Sequence, residues 1–169
     1  MEFFSGKRYM ARGAAWWDRF FLGMAQYVST ASKDPSTKAG AVVVDDKRRV
    51  VSVGYNGFAR GVVDDPARYT NRELKYKMIL HAERNALLFA GRSLENCVLY
   101  TWPFMTCSVC AAMVIQTGIV RCVAPPIPDH LQARWGEDMA LAATMLREAG
   151  VSLVVYEGEI NERKDCCST

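Results

Sequence analysis

Two short stretches of this chain carry residues that can do chemistry. One is His-Ala-Glu at 81–83; the other is Cys-Ser-Val-Cys at 107–110, inside "TWPFMTCSVC". A C-x-x-C pair alone fits a redox dithiol, half of a zinc site, or no function. Both stretches open runs that read as helices. Residues three apart on a helix share a face, so the thiols of Cys107 and Cys110 can converge on one ion. A helix N-terminus also favours the thiolate, the form that binds metal. With His81 the set becomes one imidazole and two thiolates. Zinc prefers four ligands in a tetrahedron, so three protein ligands leave a position for water, as in catalytic sites. Zinc lowers the pKa of a bound water from about 15.7 to about 7. Glu83 then has a task suited to a carboxylate beside the metal: to take the water proton and deliver it to the substrate. A thioredoxin-like dithiol explains neither His81 nor Glu83. A structural zinc lacks an evident fourth ligand, since His130 follows a proline-rich turn and reads as a surface residue.

The elements that must hold these groups are legible around them. Trp16, Trp17, Phe20, Phe21, Met24 and Val28 recur at helical spacing, which predicts an amphipathic helix over 14–31 with its aromatic stripe on the core. "AVVV" and "VVSV", split by a charged turn, predict a hairpin over 39–45 and 50–55. Residues 56–79 read as irregular and polar, with a short helix around 71–79. The grammar then becomes regular. Helical runs "HAERNALLFA", "SVCAAMVIQT" and "EDMALAATMLREA" stop at Gly91, Gly118 and Gly150, each suited to the left-handed residue that ends a helix. Short apolar strands, "NCVLYTW", "IVRCVA" and "VSLVVY", alternate with them. That order predicts an α/β protein with helices on a largely parallel sheet after an antiparallel start. "APPIPD" at 124–129 reads as a stiff surface connection.

Bulk composition narrows the field. The 169 residues predict one domain, over 1–158, with 159–169 as a polar, disordered tail. A net charge of +3 from 21 basic and 18 acidic residues is too mild to argue for nucleic-acid binding. No window approaches the roughly 20 apolar residues of a membrane span. The N-terminus lacks the apolar core of a secretory signal. Six cysteines without such a signal point to the reducing cytoplasm, where cysteines serve metals or catalysis. Cys97 and Cys122, in predicted strands, read as buried hydrophobes; Cys166 and Cys167, in the tail, read as inert.

H-x-E followed by C-x-x-C is the pattern of zinc nucleobase deaminases. Four stretches make the likeness more specific: "SKDPSTKAGAVVV" (32–44), "GYNGFARG" (54–61), "HAERNALLFAGR" (81–92) and "CSVCAAMVIQTGI" (107–119). In order and spacing they resemble the deoxycytidylate (dCMP) deaminase family of the cytidine deaminase-like superfamily. The resemblance implies a three-layer α/β/α fold around a mixed, roughly five-stranded sheet. It implies hydrolysis of dCMP to dUMP and ammonia, with His81, Cys107 and Cys110 holding one zinc per subunit and Glu83 shuttling the proton. Water would attack C4 of the cytosine while Glu83 protonates N3 and then helps ammonia leave. Asn56 would contact the deoxyribose hydroxyl, as an amide carrying donor and acceptor can. Arg92 would bind the substrate phosphate, for which guanidinium is a good fork. Phe89 could pack near the base, although core burial is the plainer reading. The family's enzymes are typically homohexamers, activated by dCTP and inhibited by dTTP, each with Mg²⁺. The resemblance puts Lys38, Gly54, Asn56, Gly57 and Arg60 in that regulatory region.

There are departures from the family pattern. Thr106 stands where a proline usually precedes the first zinc cysteine, which points to a looser loop or to Thr106 capping the next helix. Ala59 stands where the glycine-rich loop commonly has proline. Residues 62–80 hold no Cys or His for a second, structural zinc. Rival readings remain: a deaminase of free nucleosides, of dCTP or of tRNA adenosine, and a zinc-stabilised nucleotide-binding subunit without activity. The retained Glu83 argues against the last.

Overall fold

The computed structural model describes residues 12–160. The expected tail lies outside the described residues from 161 onward, with Cys166 and Cys167. Ile160, which the tail was expected to include, instead packs against the apolar side of the first helix.

Five strands form one sheet in the order β2-β1-β5-β6-β7: β1 Gly40–Val44, β2 Val50–Tyr55, β5 Val98–Trp102, β6 Arg121–Ala124 and β7 Ser152–Val155. β1 is antiparallel to both β2 and β5. β5, β6 and β7 run parallel. The antiparallel start and parallel continuation are those read from the sequence. Every residue of β1 is buried because helices cover both sheet faces, which is why its sequence is a continuous apolar run. Alternate side chains serve opposite layers. Val42 and Val44 join Tyr100, Val123 and the residues Phe21, Leu22 and Ala25 of α1 (Ala14–Ser29). Ala41, Val43, Leu99 and Cys122 join Ala82 and Ala86 of α4 (Ala82–Leu88), Ala111 and Val114 of α5 (Ser108–Gln116), and Ala142 and Leu146 of α6 (Asp129–Glu148). The result is a three-layer α/β/α stack.

The aromatic stripe of α1 is only partly in the core. Phe21 is buried and Trp17 packs beside it, whereas Phe20 is exposed and stacks on Trp16 at 5.3 Å. A bidentate pair fixes this helix to the sheet: Arg121 donates to both carboxylate oxygens of Asp18, at 2.8 and 2.7 Å, and the Tyr100 hydroxyl donates to Asp18 as well.

Residues 56–79 are more ordered than their composition suggests. Gly57–Phe58 (β3) pairs with Ile79–Leu80 (β4). Between them lie α2, Pro66–Thr70, capped by Asp65, and α3, Arg72–Met78, capped by Asn71. The α3 span agrees with the expected short helix. The largest difference concerns α6, which begins at Asp129 rather than near 137. Pro128 is the extended N-cap and makes no side-chain cap, while Asp129 puts an acid in the first turn, which is favourable beside a helix N-terminus. Gly136, an interior residue costing about 1 kcal/mol relative to alanine, does not break the helix. Gly91, Gly118 and Gly150 follow the helices with positive φ, as expected. Gly54 serves by being small: a β-carbon there would run into the backbone of Ala82 and Ala86, so α4 rests directly on β2.

Candidate active site

Both halves of the motif sit at helix starts. His81 is the N-cap of α4 and Cys107 the N-cap of α5, and neither side chain caps its own helix. They turn to each other instead. His81 Nδ1 lies 3.4 Å from Cys107 Sγ and 3.4 Å from Cys110 Sγ. All three donor atoms fall within 4.8 Å of one another. Tetrahedral zinc, with Zn–S near 2.3 Å and Zn–N near 2.0 Å, brings such atoms to about 3.5–3.8 Å, so the donor set fits zinc. Among the described residues it is the one such cluster of His, Cys, Asp and Glu.

The electrostatics suit that ion. The Cys107 thiol is pulled down to about 4, first by its hydrogen bond with Cys110 and then by His81. Cys110 is pushed up by the adjacent sulfur and by burial. The metal-free pair therefore shares one proton, which zinc displaces on binding. Glu83 is buried beside them, and burial above all raises its carboxyl pKa. A carboxyl raised toward the working pH holds and releases a proton more evenly, as a two-way shuttle requires.

Thr106 is buried and does not cap α5. Its hydroxyl donates to the Cys107 carbonyl at 3.5 Å, and among the influences on Glu83 it is the smallest, favouring the charged carboxylate against the burial that opposes it. The cap comes from Asp138, one turn into α6 from Arg134: the Ser108 N–H donates to Asp138 Oδ2 at 3.0 Å and the Ser108 hydroxyl to Oδ1. Asp138→Ala should loosen the thiol-bearing turn and weaken zinc about 10-fold, within the range for outer-shell partners. Chelator competition checks this; unchanged affinity would confine Asp138 to helix stability.

A cleft opens onto these groups, lined by His81, Glu83 and Cys107. Trp102, Phe104, Tyr76 and Trp135 line it too. Opposite chemistry comes from Asp34, Lys75 and Asn56.

The chain matches the family of the cytidine and deoxycytidylate deaminase zinc-binding region over residues 15–125. An uncharacterized deaminase from the luxG 3′ region of Aliivibrio fischeri is 44% identical over 137 residues, 81% of this chain and 91% of that protein. The chain belongs to the cytidine and deoxycytidylate deaminase family. The deoxycytidylate deaminase of Homo sapiens is 35% identical over 80% of this chain and 77% of its own length. A crystal structure of dCMP deaminase from the cyanophage S-TIM5 superposes with a TM-score of 0.63 at 22% identity, covering 82% of this chain and 95% of that one. It shares the fold.

In this family member the other expected site residues separate into two groups. Asn56 lines the cleft, but its amide is largely engaged. It accepts from the Ala39 N–H at 2.7 Å and donates to the Thr37 carbonyl at 2.9 Å and to Asp34 Oδ2 at 3.4 Å. Both amide hydrogens are used, so Asn56 meets a sugar hydroxyl only as an acceptor. Behind it Lys75 donates to Asp34 at 3.0 Å and to the Ser36 hydroxyl at 2.8 Å. This buried pair ties α3 to the Asn56 loop. Arg92 does not reach the cleft within this chain. It follows the far end of α4 from His81, a helix of seven residues and so about 10 Å long. There its guanidinium lies 3.8 Å from Asp45 and is half exposed. Phe89 is neither core nor base platform: it is exposed, with the Arg60 guanidinium 5.6 Å from its ring. Of the regulatory set, Gly54 is occupied in docking α4, and Lys38 and Arg60 are exposed.

Sequence reading passes over Arg134 and Trp135, because the helix is expected to begin only near 137, and over Asp138, which lies inside the expected helix but whose partner Ser108 is 30 positions away. Asp34 lies within a quoted motif and Lys75 in the expected short helix around 71–79; no local signal links residues 41 positions apart.

Proposed function

We propose that this chain hydrolyses dCMP to dUMP and ammonia with one zinc ion held by His81, Cys107 and Cys110. The observation that carries the reading is an open three-ligand set with a buried, non-ligating Glu83 beside it in a cleft walled by aromatic side chains. Relatives named deoxycytidylate deaminase, at 33–36% identity over 80% of this chain, support the substrate.

Zinc, when bound, supplies a water acidic enough to lose its proton near neutral pH. Glu83 accepts that proton and delivers it to N3 of the cytosine as C4 is attacked. It then carries a second proton to the departing amino group, so dCMP and water leave as dUMP and ammonia. The aromatic side chains Trp102, Phe104 and Trp135 confine the base and exclude bulk water, which strengthens each charge interaction inside. Asn56 accepts from the sugar hydroxyl.

Regulation belongs to the same reading. dCTP activates and dTTP inhibits, each with Mg²⁺, through Lys38 and Arg60 beside the glycine-rich loop. The exposure of both cations supports this, as the exposed Val53, Tyr55, Leu88 and Phe89 support assembly into a homohexamer. Magnesium dTTP is expected to lower the dCMP deamination rate; a rate unmoved at saturating dTTP marks an unregulated enzyme.

The test of substrate is a spectrophotometric deamination assay with dCMP, deoxycytidine, dCTP and an RNA stem-loop. dCMP should be the preferred substrate. A higher kcat/KM for any other member overturns the reading.

A further inference from the structure

Arg134 is the unassigned charge in the active-site cleft. It lines the same cavity as His81 and Glu83, yet among the described residues it has no carboxylate partner. The acid in that wall, Asp34, is already taken by Lys75 at 3.0 Å. Two aromatic rings hold the Arg134 guanidinium instead, Tyr76 at 5.3 Å and Trp135 at 5.1 Å. Contact with ring faces leaves the in-plane N–H donors free for oxygen acceptors. A second guanidinium stands close by: Arg72 donates to the Tyr76 hydroxyl at 3.3 Å and lies 5.6 Å from the same ring. Partial burial, and then Arg72, both make the Arg134 charge less comfortable than in water, and Asp34 offsets them only in part. Two like charges are thus drawn to one ring at the cleft wall, with the carboxylate of that wall already paired to Lys75. A phosphate monoester carries roughly −1.5 to −2 at pH 7 and presents three acceptor oxygens.

We propose that Arg134, seconded by Arg72, receives the 5′-phosphate of the substrate, so that this chain selects a nucleotide over a nucleoside through its own helix α6 and not through Arg92. The proposal rests on the nucleotide-deaminase reading of the site and assigns its specificity. Arg134 binds the phosphate, and Tyr76 and Trp135 fix the plane of its guanidinium. Because Asp138 on the same helix caps the thiol-bearing turn of α5, α6 sets the distance between phosphate and metal.

The experiment compares wild type, Arg134→Ala and Arg134→Lys, all zinc-loaded, on dCMP and deoxycytidine. Binding of dUMP and deoxyuridine is measured alongside by calorimetry. Arg134→Ala should lower kcat/KM for dCMP about 10- to 100-fold, the size of a lost charge-assisted contact, and change deoxycytidine less than about threefold. The preference for dUMP over deoxyuridine should fall by a similar factor. Arg134→Lys should recover part of both, since it restores charge without the fork. Equal losses on dCMP and deoxycytidine, or a dUMP preference untouched in Arg134→Ala, overturn the proposal. So does a wild type indifferent to the phosphate, which leaves deamination itself standing. If wild type instead turns over another 5′-phosphorylated amino-heterocycle and Arg134→Ala loses that activity, the phosphate assignment stands and the dCMP reading falls.

Discussion

Glu83→Gln should keep its zinc and lose turnover on dCMP by about 100- to 10,000-fold, the range for removing a positioned general acid–base group. Glutamine has the shape of the acid but cannot carry the proton between water, N3 and the amino group. Zinc stays because the donor set is His81, Cys107 and Cys110, without Glu83. A second effect runs the other way. Burial raises the Glu83 pKa in the folded chain. A carboxyl whose folded pKa exceeds its unfolded value costs stability once pH rises above the unfolded pKa, because the ionised form is the one burial disfavours. The metal-free variant should therefore melt at or above the wild-type Tm at pH 7. Steady-state rates, zinc content and calorimetry on one pair of proteins check all three points. Undiminished activity with zinc bound would remove Glu83 from the mechanism.

Cys110→Ala should abolish both zinc binding and activity. Cys110 is fully buried, on the first turn of α5, with its sulfur 3.4 Å from His81 Nδ1. Its loss leaves one thiolate and one imidazole, too few for a tetrahedral ion that also keeps a water. It also removes the hydrogen bond that chiefly lowers the Cys107 pKa, so the surviving sulfur becomes a poorer ligand at neutral pH. Elemental analysis of the purified variant should find essentially no zinc. A full complement would mean that another residue completes the set.

The parts of this molecule legible in advance are those encoded locally. His81, Glu83, Cys107 and Cys110 declare themselves through spacing and helix position. The strands show as short apolar runs, and Gly91, Gly118 and Gly150 mark helix ends by a backbone need that few other residues meet. What was hidden depends on distant partners. Asn56 was recognisable as a site residue, but its donors are spent on Thr37 and Asp34, which only the folded loop reveals. Arg92 is expected at the phosphate from the family resemblance alone; seven residues of helix separate it from His81 and place it beside Asp45. α6 was shortened at Gly136 because a mid-helix glycine and upstream prolines are strong local signals. The helix tolerates that cost because its buried face, Met139, Ala142 and Leu146, supplies the stabilisation. The late start leaves Arg134 and Trp135 out of the helix; Asp138 lies within the expected helix, and only its distant partner Ser108 reveals its role.

The account stands most directly on one titration. Zinc is added back to chelator-stripped protein while dUMP formation from dCMP is followed. The stripped chain should be inactive, and the rate should rise linearly to one zinc per chain and then level. Formation of dUMP by the stripped chain, or none at full occupancy, would contradict the assignment of His81, Cys107, Cys110 and Glu83 as a zinc-dependent deaminase site.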